Sequence, residues 1–84
     1  MNERDIGRPM PPLRTYDRSW SEIEDMLEEA RTLQHEWRVK FDRNQRIGNK
    51  QGQKDAARNY KALEGVVKTL RWVLGEQGVR DPLE

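Results

Sequence analysis

No cysteine occurs among the 84 residues, which excludes a disulfide framework and any thiolate metal site. Histidine occurs once, as His35 between Gln34 and Glu36 on the polar side of a helical pattern. A single imidazole without thiols does not assemble a zinc site unaided. No Ser or Cys stands where a nucleophilic triad would need it, so the reading is of a non-enzyme with no cofactor. No run approaches the roughly 18 apolar residues of a membrane-spanning helix. The polar N-terminus lacks the apolar centre of a secretory leader. Net charge is only +1, so bulk charge singles out no partner. Absence of cysteine and of a membrane segment fits a cytoplasmic protein.

Two apolar stripes are present. The first is Trp20, Ile23, Leu27, Ala30, Trp37 and Phe41, with Gln34 in register; the second is Ala56, Tyr60, Leu63, Val67, Leu70 and Leu74. Steps alternating between three and four keep side chains on one face of an α-helix. Ser19 with Glu22 three residues on, or Ser21 with Glu24, offers a capping box for the first helix. Gly48 suits the left-handed position after that helix, and Asn49 can cap the next. Gly75 or Gly78 ends the second helix, and Asp81-Pro82 does not continue it. The expected organisation is an extended arm over 1–18, a helical hairpin over 19–78 and a tail over 79–84. Within the hairpin, helices over about 20–46 and 53–75 flank a turn somewhere in 47–53. Pro9, Pro11 and Pro12 make the arm extended rather than helical.

Met26 and Leu33 flank the first stripe, and Val66 and Val73 flank the second in the equivalent position. Each apolar face is therefore wider than a two-stranded seam requires. Two helices do not cover two such faces. The expected fold is an all-α antiparallel two-helix hairpin that dimerises into a four-helix bundle, with the arm as the competing cover. The expected core is Trp20, Ile23, Leu27, Ala30, Leu33, Trp37 and Phe41 against Tyr60, Leu63, Val67, Leu70 and Leu74.

Charge is segregated along the chain. Six acidic residues between Trp20 and Glu36 oppose only Arg31, whereas eight cations between Trp37 and Lys61 oppose only Asp42 and Asp55. Lys40, Arg43, Arg46, Lys50, Lys54 and Arg58 crowd the link, where they can meet phosphates. No stacking aromatic accompanies them except Phe41, which reads as core, and no nucleic-acid-binding signature is present. Solvated surface charge is the ordinary reading of that tip, and nucleic-acid contact is the alternative.

Two further features point to a protein partner. Arg58, Gly65 and Trp72 stand seven apart on the face opposite the second stripe. A helical Gly costs roughly 1 kcal/mol relative to Ala. A notch at Gly65 beside Trp72 would admit a partner, or else be covered by the chain itself. The arm segment Pro9-Met10-Pro11-Pro12-Leu13-Arg14 fits a Pro-x-x-Pro-x-Arg pattern. It reads better as a strap with Met10, Pro12 and Leu13 docking on an apolar groove.

The segment Tyr60-Lys-Ala-Leu-Glu-Gly-Val-Val-Lys-Thr-Leu-Arg-Trp-Val-Leu-Gly75 resembles the C-terminal helix of small helical accessory proteins of actinobacterial phages. That resemblance implies a phage accessory or virion protein acting by binding other proteins, in the host cytoplasm or in the particle. It carries no site residues. In architecture the chain is also similar to the helical-hairpin dimers typified by Rop, which bind RNA, an analogy of fold alone. The function expected is a non-enzymatic protein–protein interaction module, a homodimer with a protein partner.

Overall fold

The computed structural model describes residues 17–84. Two helices account for most of them: α1, Trp20–Arg46, and α2, Lys50–Val73. The arm residues Met10, Pro12 and Leu13 lie outside the described residues. Ser19 starts α1 through a complete capping box: Glu22 N–H donates to Ser19 Oγ at 3.0 Å, and Ser19 N–H donates to Glu22 Oε1 at 2.9 Å. Two otherwise orphaned amide groups are thereby satisfied.

The connection is shorter than the sequence suggests. Only Ile47, Gly48 and Asn49 separate the helices, so α2 begins at Lys50 rather than about 53. Gly48 takes φ +73°, a conformation that residues with a Cβ rarely adopt. Its N–H donates to Gln45 O, and the Asn49 N–H donates to Asn44 O at 2.9 Å. These are the two bonds of a Schellman motif. Asn49 then reverses role and caps α2, its Oδ1 accepting from the Gly52 N–H at 3.0 Å. One residue thus closes α1 and opens α2. A link this short makes the helices antiparallel neighbours.

The same three-residue turn brings α2 close to α1. Around Gly52, a Cβ would collide with the Asn44 side-chain amide and lie 2.9 Å from Asn49 Nδ2. Both amides are already engaged, since Asn44 Nδ2 donates to Lys40 O at 2.8 Å and Asn49 caps the helix. Glycine in the first turn of α2 therefore has a packing reason that outweighs its poor helix propensity.

The seam between the helices is narrow. Leu27 and Ala30 of α1 and Ala56 of α2 are the fully buried apolar residues among those described. Ile23, Trp37, Phe41, Tyr60, Leu63, Val67, Leu70 and Leu74 are half-buried. Two expected core residues do not belong there: Trp20 is 65% exposed and Leu33 39%. Trp20 is the first residue of α1 and stands a turn beyond the end of α2. Leu33 lies one position off the contact line, beside Gln34, which takes the seam position. Two antiparallel helices close only the line between them and leave flanking positions wet.

At its far end α2 stops at Val73, two residues before the expected limit, with Gly75 at φ +74°. Gly75 N–H donates to Trp72 O and Glu76 N–H to Arg71 O, a second Schellman closure.

Two glycines in one helix thus have opposite settings. Gly52 is enclosed, whereas a Cβ at Gly65 would meet nothing within 4 Å. Gly65→Ala is expected to stabilise the hairpin by about 0.5–1 kcal/mol, raising Tm by about 2–8 °C. Gly52→Ala is expected to lower stability by about 1–2 kcal/mol through overpacking. Denaturation followed by circular dichroism checks both, and equal signs would contradict the turn geometry.

Candidate interaction surfaces

An antiparallel hairpin has two long edges, one on each side of its seam. Met26, Leu33 and Lys40 recur every seven residues along α1, with Ile47 in register just past its end, and Asn59, Val66 and Val73 along α2. Helical spacing brings both rows to one edge. In keeping with this, Met26 borders a hollow with Ile23 and Leu70, and Val66 borders another with the same Leu70. Met26, Leu33, Ile47, Val66 and Val73 are all exposed, from 39% to 69%. This first edge is an apolar strip crossing both helices.

The second edge differs in character. Gln34, Glu64, Val67 and Arg71 line it toward the open end of the hairpin. Arg38, Phe41, Ala57, Tyr60 and Lys61 line it toward the turn. It is polar for half its length and aromatic, rimmed by cations, for the rest.

The cations expected to crowd the turn do not form one cluster. Lys40 lies on the first edge, with its ammonium 4.3 Å from the centroid of the Trp37 ring. Arg43 follows one turn on, turned toward the outer face of α1, and Arg46 continues the Arg38–Asp42 row on its other side. Lys50 and Lys54 border the second edge beside Phe41. Arg58 sits on the outer face of α2, 3.3 Å from Asp55. Lys40 and Arg43 thus lie away from Lys50 and Lys54, a separation invisible in linear order. Arg38 and Lys61, which a count of the tip leaves out, are the ones that join Lys50 and Lys54.

Gly65 and Trp72 occupy the outer face of α2, with Gly65 open and Trp72 half exposed. It is the C-terminal tail that approaches this face. Val79 and Arg80 border a hollow with Lys68 on one side of α2, and Pro82 borders a second hollow with Lys68 and Gly65 on the other. The tail therefore crosses α2 over Lys68. Its anchor is Arg71, whose Nε and Nη2 donate to the two carboxylate oxygens of Glu76 at 2.9 and 2.7 Å. The fork geometry matches a carboxylate bidentately. This pair stands where a Schellman closure usually places an apolar contact.

Among the described residues, no group of three or more His, Cys, Asp or Glu side chains is placed to hold a metal ion. His35 is exposed. No helix is long and apolar enough to cross a membrane among the described residues.

Comparison with protein-family models, curated proteins and solved structures finds no match. The functional reading therefore rests on the surfaces themselves.

The tail anchor has a pH signature. Hydrogen bonding from Arg71, with its charge in support, holds the Glu76 carboxyl below its ordinary value. A lowered carboxyl makes its contribution above the ordinary glutamate range and loses it as pH falls through the lowered value. NMR titration should show Glu76 titrating below ordinary glutamates, with the Val79 amide shifting in step. Arg71→Ala should return Glu76 to the ordinary range; a Glu76 that titrates unchanged in that variant would remove Arg71 as the cause.

Proposed function

We propose that the hairpin is a non-enzymatic protein-interaction module, and that its first docking partner is a second copy of the chain. The observation that carries this reading is the exposure of Met26, Leu33, Val66 and Val73 along one edge of the hairpin. Among the described residues the fully buried apolar ones are Leu27, Ala30 and Ala56, which make a small core. Small single cores supply only about 3–5 kcal/mol, and association is a common supplement. Pairing the strips of two hairpins yields a four-helix bundle.

Charge favours an antiparallel arrangement of the two copies. Along the outer side of α1 beside the strip, Glu22, Asp25 and Glu29 lie toward the open end, and Lys40 and Arg43 toward the turn. Leu33 stands midway along α1. A two-fold axis near Leu33 sets the acidic half of one α1 against the basic half of the other. Such an interface is self-complementary, as a two-fold dimer requires. The charges govern orientation more than affinity. Gly65 and Trp72, on the outer face of α2, stay available to a different protein.

Multi-angle light scattering is expected to return twice the 10.0 kDa chain mass at both low and high salt. Leu33→Glu with Val66→Glu should give a helical monomer, since both side chains are solvent-exposed within a single hairpin. A folded wild-type monomer at micromolar concentration would overturn the dimer.

A further inference from the structure

Two adjoining hollows lie on the second edge near the turn, away from the strip assigned to self-association. One, of about 340 Å³, is bounded by Arg38, Phe41, Ala57, Tyr60 and Lys61. The other, of about 300 Å³, is bounded by Phe41, Ala57, Lys50, Gln53 and Lys54. Phe41 and Ala57 belong to both, so they lie where the two hollows meet. No carboxylate lines either hollow, and each has two cations at its rim. Lys50 and Lys54 form no ion pair among the described residues. Arg38 and Lys61 are held by Asp42 at 3.5 Å and Glu64 at 3.0 Å, on the open surface. Exposed pairs of this kind contribute little and exchange readily for a stronger anion.

We propose that these hollows bind single-stranded nucleic acid. Phe41 stands between two successive bases, Tyr60 flanks one of them, and the four cations meet the phosphates. The site contains the same unit twice: an apolar hollow against an aromatic ring, with two cations beside it. The complementary polymer is one in which every unit joins a flat ring to an anion. Positively charged grooves with aromatic platforms are the general solution for holding such strands. Lys50, Lys54 and Lys61 span about 16 Å along α2, room for a few nucleotides. An acidic amphipathic helix would need a continuous apolar trough. Beyond Tyr60 this edge turns to Gln34, Glu64 and Arg71, with Val79 and Arg80 of the tail across it. The hollows are complete within one chain, so the inference does not depend on the dimer.

Fluorescence anisotropy with labelled 12-mers of thymidine and of uridine tests this on the full chain. Engagement of three or four phosphates predicts a loss of affinity of roughly 20- to 50-fold between 50 and 200 mM salt. Ala57→Glu puts a carboxylate between the hollows in a residue that helices tolerate, and should reduce affinity at least tenfold. Lys54→Glu with Lys61→Glu should do the same. Lys40→Glu with Arg43→Glu, on the other side of the hairpin, should change affinity less than threefold. Phe41→Leu should weaken binding at least fivefold at unchanged salt slope, with circular dichroism confirming the fold. The proposal is overturned by absence of binding at 50 mM salt, or by equal losses for the two charge-reversed pairs. Equal competition by poly-glutamate of the same length would also overturn it, assigning the cations to an acidic protein instead.

Discussion

Everything in this hairpin depends on how Asn49 is used. Its backbone N–H closes α1 on Asn44, and its side chain opens α2 on Gly52. A connection that serves both helices with one residue leaves no slack. It sets the register by holding Asn44 against Gly52. Each pairing up the seam follows from that contact, and so does the assignment of every flanking residue to one edge or the other.

Close approach has a second effect. Two of the three fully buried apolar residues among those described, Ala30 and Ala56, are small. Small residues bury little area, so the hairpin gains fit at the expense of apolar burial. Larger side chains are displaced to the margins, half-buried or wet. The exposed strip and the aromatic hollows are two products of the same narrow seam, one on each edge.

Much of this was legible in the sequence. The stepped apolar residues, the Ser19–Glu22 box and the Gly48-Asn49 pair specify two helices and their reversal through local physics alone. The length of the turn was less legible. Gly52 looks like turn material until its contact with Asn44 is seen, and helix propensity argues against it. Trp20 and Leu33 follow the apolar pattern yet fall outside the seam, because periodicity shows a face and not how much of it a single partner helix covers. The basic tip was the least legible surface. Linear proximity joins Lys40 and Arg43 to Lys50 and Lys54, whereas folding back on Asn49 separates them and brings in Arg38 and Lys61. Phe41 likewise reads as core from its stripe position, and only the packing shows that it also borders open space.

The three-residue turn also makes the hairpin a one-ended object. Asp17 and Leu74 both leave it at the end remote from Gly48. Anything tethered to this hairpin on the N-terminal side is therefore held at its base, while Phe41 and its surrounding cations project some six helical turns away, about 30 Å. Such a geometry keeps the aromatic and basic end of the hairpin clear of its base.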